Sequence, residues 1–329
     1  MMRRALFPLV PLYVAAVTAK NAAYDHGWAH PHKLRWPVIS VGNISVGGSG
    51  KTPLVISLAK LFTQHKIHVD VLSRGYGRSS QAVERVDPAG SAERFGDEPL
   101  LIAQSAQVPV YVGASRYDAG HLAESEQSSI GVHLLDDGFQ HRKLEQDVNI
   151  AVVHSRDLRE SLLPSGRLRE PLSALRRASI LVLREEDAEL ENQLVQRGIE
   201  KPTWWITRSL TVPPEMGRVL AFCGIARPED FFQSLRREQI ETVATQAFRD
   251  HHRYSERDMQ QLITKARANS AQAFLTTEKD WVRLTPTQRE SLSAVAPLNI
   301  ARLEAVLQNE AAAWSELERL LPAVFPRSL

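Results

Sequence analysis

Residues 36–53 read WPVISVGNISVGGSGKTP, an apolar run that enters a glycine-rich turn and closes on Gly50-Lys51-Thr52. Such a turn, set between a strand and a helix, is built to cradle phosphate. Glycines let successive backbone N–H groups converge on phosphate oxygens, a lysine reaches the β- and γ-phosphates, and a threonine hydroxyl is placed to ligate Mg²⁺. The following helix adds its positive N-terminal end. Val46, Gly47, Gly48, Ser49, Gly50, Lys51 and Thr52 are therefore the candidate nucleotide-binding residues. The full pattern G-x-x-x-x-G-K-[ST] asks for glycine at position 45, where this chain has Ser45. The flanks supply the required context, because residues 37–42 read as a buried strand and residues 54–62 carry apolar side chains at helical spacing.

Outward from the loop, strand-like and helix-like stretches alternate. Residues 67–73, 108–113, 132–136, 148–153 and 180–183 are short apolar runs of strand type, and 115–124 has helical spacing. This order predicts an α/β fold with a P-loop NTPase-like, mostly parallel sheet flanked by helices and ligands at the carboxyl ends of the strands. From about Pro202 the rhythm loosens, and Trp204-Trp205 and Pro213-Pro214 punctuate the change. Strands are expected at 219–223, 241–248 and 273–276, separated by helices at 228–237 and 255–268. The expected organisation is an apolar N-terminal region (1–30), a P-loop core (31–210) and a smaller C-terminal α/β lobe (211–329).

The chain has 329 residues, 43% hydrophobic and 24% charged, with a formal net charge of +2. That charge is too small to point to nucleic acid. The arginines are uneven, however, and Arg156, Arg159, Arg167, Arg169, Arg176 and Arg177 crowd one segment, which suits a local anionic ligand. A single cysteine, Cys223, cannot form an internal disulfide, and a reducing cytoplasm is expected. No obligate protein partner is evident from the sequence.

At the N-terminus, Arg3-Arg4 precede the apolar run 5–19, which has three readings: a secretory signal, a core-packed helix, or a helix lying in a membrane interface. The interfacial reading is favoured. An ATP-using site outside the cell would lack nucleotide, Pro8 and Pro11 interrupt the run, and it is short of the ~20 residues a span needs. Arg3, Arg4 and Lys20 would meet anionic headgroups. Burying some of Leu6, Phe7, Leu9, Leu12, Tyr13 and Val14 at ~1.5 kcal/mol or more each gives reversible, peripheral attachment.

Residues 132–138, VHLLDDG, form a strand ending in two carboxylates, and Asp136 falls where a P-loop enzyme keeps its Mg²⁺-holding acid. His141 either lines this site or caps the turn, and the turn is favoured. Gly96-Asp97-Glu98-Pro99 reads either as a plain helix start or as one carboxylate for metal and one for a proton, and sequence does not choose. Asp250-His251-His252 offers an Asp-His pair that could tune a proton acceptor. In the run 164–171, Arg169 could neutralise a phosphate or pair with Glu170 to hold the loop. Ser73-Arg74-Gly75-Tyr76-Gly77-Arg78 puts arginine and tyrosine at the same sheet edge, suited to a sugar or acyl chain. Val46 stands where membrane-partitioning deviant Walker ATPases carry a second lysine, and Thr277-Glu278-Lys279-Asp280 does not match the guanine-reading Asn-Lys-x-Asp.

Together the loop at 41–53, Ser73-Arg74-Gly75-Tyr76-Gly77, Gly96-Asp97-Glu98-Pro99, Asp136-Asp137-Gly138-Phe139-Gln140-His141, Leu168-Arg169-Glu170-Pro171 and Asp250-His251-His252 resemble the tetraacyldisaccharide 4'-kinase family. The resemblance spans almost the whole chain in matching order and accommodates Ser45. It implies ATP-dependent phosphorylation of a sugar hydroxyl on an acylated glucosamine disaccharide 1-phosphate, with Mg²⁺, at the cytoplasmic face of the bacterial inner membrane. It also implies Asp97 as base paired with His251, and Thr52, Glu98, Asp136 and Asp137 near Mg²⁺. Lys51 and Arg169 would hold the transferring phosphate, Arg116 would assist, and Tyr76 with Arg74 would face the lipid headgroup. Two other classes compete: a membrane-bound, nucleotide-switched adaptor ATPase, which needs no acceptor base, and a soluble small-molecule P-loop kinase.

Overall fold

The apolar run before the loop becomes the central strand of the sheet, buried at every position, as a strand covered on both faces must be. The computed structural model describes residues 4–48, 50–127 and 129–325. A 3-10 turn at Arg4–Leu9 leads into α1 (Val10–Asp25). The core then runs β1 (Val38–Gly42), α2 (Lys51–Gln64), β2 (Val69–Ser73), β3 (Glu84–Arg85), α3 (Ala92–Phe95) and α4 (Asp97–Ala106). It continues through β4 (Val110–Val112), α5 (Arg116–Ser125), β5 (Val132–Asp136), β6 (Val148–Val152), β7 (Ile180–Arg184), α6 (Ala188–Val195) and β8 (Thr203–Thr211). The remainder comprises β9 (Val219–Cys223), α7 (Pro228–Arg237), β10 (Thr242–Ala247), α8 (Glu256–Ala268) and β11 (Ala273–Thr277). α9 (Glu278–Arg283), α10 (Pro286–Ser293), β12 (Leu298–Leu307) and α11 (Glu310–Leu320) complete it.

These strands join in one sheet of order β10-β9-β11-β12-β8-β7-β6-β1-β5-β2-β4-β3. Every neighbouring pair is parallel except β12 with β8 and the edge pair β3 with β4. The fold is thus the mostly parallel α/β sheet that the sequence predicts. Because β1, β2, β4 and β5 run in parallel, the loops after them collect at one edge of the sheet, where this fold class binds ligands. Gly42 ends β1 because a Cβ there would lie 2.5 Å from that of Phe139, so only glycine lets the loop after β5 pack against the strand.

Several boundaries match the sequence reading because local signals are sharp. Proline in its first turn starts α7, and a capping box of Ser255 with Asp258 starts α8, a device worth about 1 kcal/mol. After Pro171 the chain makes only a 3-10 turn, Leu172–Arg177. Besides the two-residue edge strand β3, two strands were not anticipated. Trp204-Trp205, read as punctuation, belongs to β8, and β12 pairs with it antiparallel from Ile206↔Leu307 to Thr211↔Arg302. Both strands alternate buried and exposed positions along their shared length, so neither shows the continuous apolar run that marks the central strands. They join the core half of the sheet to β9, β10 and β11. The chain then returns: Ala305, Leu307 and Trp314 enter the core cluster of α2, where the Trp314 ring lies 5.3 Å from Phe62.

The segment Leu6–Asp25 is 20 residues long and apolar enough to cross a membrane by length and composition, so the shorter run judged from sequence underestimates it. Proline at the first turn of α1 is compatible with the helix. No residue of α1 is buried, and Leu6, Phe7, Leu9 and Leu12 are exposed, which overturns the core-packed alternative. Its polar side chains hold it laterally: Tyr13 donates to the Arg169 carbonyl at 2.8 Å, Lys20 to that of Gln140 at 2.9 Å, and Asn21 to Glu170 Oε1 at 2.8 Å.

Candidate active site

The phosphate loop is shaped by positive φ at Gly47 (100°) and Gly50 (85°), conformations that L side chains rarely adopt. At Gly50 the backbone is what requires glycine, since a Cβ would meet only the movable end of the Arg208 side chain. Lys51 opens α2, and its Nζ lies 3.0 Å from Asn43 Oδ1 and 3.2 Å from Asp137 Oδ1. Buried Asn43 in turn donates to the Ser45 carbonyl at 2.7 Å and hydroxyl at 3.2 Å. Ser45 therefore has a role that glycine would lack. The loop is further tied to the arginine segment by Val46 N–H to the Arg167 carbonyl at 2.8 Å. Val46, Gly47, Gly48, Gly50, Lys51 and Thr52 all line one cleft, while Ser49 lies outside the described residues.

At the end of β5, Asp136 and Asp137 face different company. Asp136 is fully buried, and burial, then the nearby charges of Glu98 and Asp137, push its carboxyl up to about 7. Its Oδ1 has no hydrogen-bond partner among the described residues. Burial also raises the Asp137 carboxyl, but Lys51 and Arg169 outweigh this and hold it below the ordinary carboxylate range. Arg169 Nη1 reaches Asp137 Oδ2 at 2.9 Å and Gln140 Oε1 at 3.1 Å. Glu170 pairs with Arg177 at 2.8 Å, so Arg169 is not held by its neighbour. Among the described residues no three His, Cys, Asp or Glu groups form a metal cage. Mg²⁺ in nucleotide enzymes does not need one, because it takes one or two carboxylates plus phosphates and water.

Across the cleft, α4 begins with Asp97 and Glu98. Gly96, at φ 93°, occupies the cap position and Asp97 makes no cap hydrogen bond, which leaves its carboxylate for other partners. His251 Nδ1 lies 2.9 Å from Asp97 Oδ2, and Arg283 Nε donates to the same oxygen at 2.6 Å. That hydrogen bond raises the His251 pKa, outweighing its partial burial. Burial acts to raise Asp97, yet the His251 bond and the Arg283 charge leave it lowered. His252 faces away, 3.0 Å from Asp258 Oδ2 and stacked on Phe248 at 4.7 Å. Geometry thus separates the two histidines. Lys279 Nζ lies 2.5 Å from Glu98 Oε1, and its charge first of all holds Glu98 low against burial.

These groups share a cleft of about 1440 Å³ lined by Lys51, Thr52, Arg74, Tyr76, Glu98, Arg116, Asp136, Asp137, Arg169, His251 and Lys279. His251 links the cleft to Asp97, and the exposed Tyr76 ring sits 5.6 Å from that imidazole. Arg116 opens α5, and burial, then the charge of Arg74, draws its guanidinium down to about 10. His141 both closes the turn, its N–H donating to the Gly138 carbonyl at 2.7 Å, and lines the cleft. Burial, then Arg116 and Lys20, push that imidazole down to about 4, so it is neutral near pH 7.

The family model for tetraacyldisaccharide-1-P 4'-kinase matches residues 2–321. The chain belongs to this family. It is 42% identical over 324 residues to the tetraacyldisaccharide 4'-kinase of Koribacter versatilis, covering 95% of this chain and 98% of that one. The Aquifex aeolicus tetraacyldisaccharide 4'-kinase is 38% identical over 301 residues, 86% of this chain and 90% of its own. A crystal structure of the Aquifex aeolicus kinase in complex with ATP superposes with a TM-score of 0.77 at 34% identity, covering 99% of this chain and 100% of that one.

Within this member of the 4'-kinase family, the sequence reading overlooked Arg208, Lys279 and Arg283. Arg208 lies on the unanticipated β8. Lys279 lies in the string set aside as a failed guanine motif and Arg283 three residues beyond it, although Thr277 caps α9 and the i, i+4 spacing puts both cations on one face. That spacing was the available signal.

Proposed function

We propose that this chain transfers the γ-phosphoryl group of ATP to the 4'-hydroxyl of a tetraacylated glucosamine disaccharide 1-phosphate, the step that makes the bisphosphorylated lipid A precursor. The observation that carries this reading is the convergence on one cleft of the phosphate loop and, opposite it, His251 hydrogen-bonded to Asp97. In phosphoryl transfer the protein mainly positions the reactants and neutralises charge. Lys51 and Arg169 both reach Asp137, which aims two cations at the place where the β- and γ-phosphates lie in a P-loop enzyme. Asp97 takes the hydroxyl proton as the new O–P bond forms and the γ-phosphoryl leaves ADP; His251 stabilises the carboxylate before transfer and orients it.

Mg²⁺ fits the residues present. Asp136 is buried, has an Oδ1 without a partner among the described residues and is pushed up to about 7, the state of a carboxylate that a cation would relieve. Thr52, Asp136, Glu98 and Asp137 would hold the ion, which when bound neutralises charge on the phosphate oxygens. Tyr76, Arg74 and Arg116 line the cleft, Tyr76 beside His251, and suit a sugar headgroup bearing a phosphate.

We place the protein peripherally at the cytoplasmic face of the inner membrane, with the exposed Leu6, Phe7, Leu9 and Leu12 entering the lipid. Residues 1–30 serve as the interfacial region, 31–210 as the P-loop core and 211–329 as the smaller lobe, whose last strand and helix lean back on the core. The test is direct: incubate the protein with Mg²⁺-ATP and the acylated disaccharide 1-phosphate in detergent and weigh the lipid. One added phosphate is expected. ATP hydrolysis unaffected by lipid, with no mass gain, would contradict the assignment.

A further inference from the structure

α9 reaches the acceptor side of the cleft with two cations on one face. Lys279 pairs with Glu98 and, one turn on, Arg283 pairs with Asp97, so two residues of one helix grip two consecutive residues that begin another. Arg283 is itself held by two further groups. Its Nη1 donates to the Gly224 carbonyl at 2.6 Å and to Asp280 Oδ1 at 3.1 Å, and the guanidinium is 5% exposed. Asp280 is fully buried and accepts from the Gly224 N–H and the Tyr254 hydroxyl at 2.8 Å each. The same oxygen of Asp97 receives His251 Nδ1, whose imidazole lies 3.5 Å from Arg283 Nη2. His251 sits at a positive φ of 55° in the loop after β10, which gives it no helix or strand to fix its place.

We infer that Arg283 is a positioning residue for phosphoryl transfer: anchored by Asp280 and Gly224, it fixes Asp97 by Oδ2 so that carboxylate and His251 imidazole meet in one orientation. This rests on the Asp97–His251 reading given above. The Asp97 carboxylate receives two donors on one oxygen, and its Oδ1 stays available for the acceptor hydroxyl. A planar, always-charged guanidinium held at its far end resists rotation, which a free carboxylate side chain does not. Loss of this hold lets Asp97 sample other rotamers, and small misplacements of a reacting group cost about a hundredfold in rate.

The experiment compares wild type, Arg283→Gln, Arg283→Lys, Asp97→Asn and the Asp97→Asn/Arg283→Gln double variant. It uses saturating Mg²⁺-ATP and the acylated disaccharide 1-phosphate in detergent, with melting curves for each. The proposal expects Arg283→Gln to lower kcat at least tenfold, with KM for ATP and for lipid within about threefold, and Arg283→Lys, which keeps the charge without the fork, and added guanidinium ion each to recover part of that loss. It expects the double variant to be no slower than Asp97→Asn alone, because Arg283 acts through Asp97. A kcat near wild type in Arg283→Gln overturns the proposal. So does a loss that neither lysine nor guanidinium relieves, or one that adds fully to that of Asp97→Asn. If Asp97→Asn itself keeps full kcat, the base assignment fails instead, and the two failures are told apart.

Discussion

His251 and His252 are neighbours in sequence with different employment. His251 faces Asp97 across the cleft, whereas His252 braces Asp258 at the start of α8 and stacks on Phe248. His251→Asn should therefore lower kcat by roughly 10²–10⁴ with melting little changed, the range of a lost proton-transfer partner. His252→Ala should instead lower the melting temperature and leave kcat within a few-fold. Kinetics and melting curves of the two variants check this, and interchange of the two effects would contradict the site. Asp136 and Asp137 show why identities alone were insufficient: the strand tip was legible, but only packing reveals that Asp137 meets Lys51 and Arg169 while one Asp136 oxygen has no partner among the described residues. Asp97 was legible as an acid at a helix start. Its partners, at sequence separations of 154 and 186, were not.

At the scale of elements, the strands that sequence located are those buried on both faces, because a parallel central strand reads as one apolar run. β8 and β12 escaped because half their positions face outward and carry polar residues such as Thr207, Ser209 and Glu304. β2 and β5 are also pinned by a buried charge pair: His133 Nδ1 lies 2.7 Å from Asp70 Oδ1, with Glu124 at 3.5 Å from the other ring nitrogen. Burial acts to lower His133, but its two carboxylates outweigh that and lift it to about 9; burial raises Asp70 while the imidazole pulls it back, and the imidazolium is the charged state that the pair supports. Its folded pKa exceeds the unfolded one, so this stabilisation is complete below about pH 6.5 and is lost as pH rises towards about 9. Melting temperature should fall between pH 7 and 10, and His133→Gln should flatten that fall while costing roughly 3–5 kcal/mol at pH 7. An unchanged pH profile in the variant would count against the pair. For α1, Phe7→Asp with Leu12→Asp removes two exposed apolar contacts of ~1.5 kcal/mol or more each. Flotation with anionic vesicles should show roughly a hundredfold weaker binding, with transfer to detergent-solubilised lipid maintained. Equal vesicle binding would remove α1 from the membrane account.

Over the whole molecule, the site is assembled from both ends of the sheet. The phosphate loop, Asp97, Asp136 and Arg169 come from the core, while His251, Lys279 and Arg283 come from the later part of the chain. Sequence could place each motif at a strand end, yet the antiparallel β8–β12 pairing that brings the later groups to the core carries no local signature. Nucleotide binding should therefore stabilise the fold as a unit, by about 2.7 kcal/mol at a hundred times Kd, and Lys51→Ala should abolish most of that thermal shift. The central claim is that one cleft joins ATP to an acceptor hydroxyl through Asp97. Single-turnover transfer of labelled γ-phosphate to the acylated disaccharide 1-phosphate, run for wild type and Asp97→Asn with ATP affinity measured in parallel, tests it most directly. The account predicts label on the lipid in wild type and at least a hundredfold slower transfer in Asp97→Asn, with ATP bound as tightly as before. Equal transfer rates in the two proteins would contradict it.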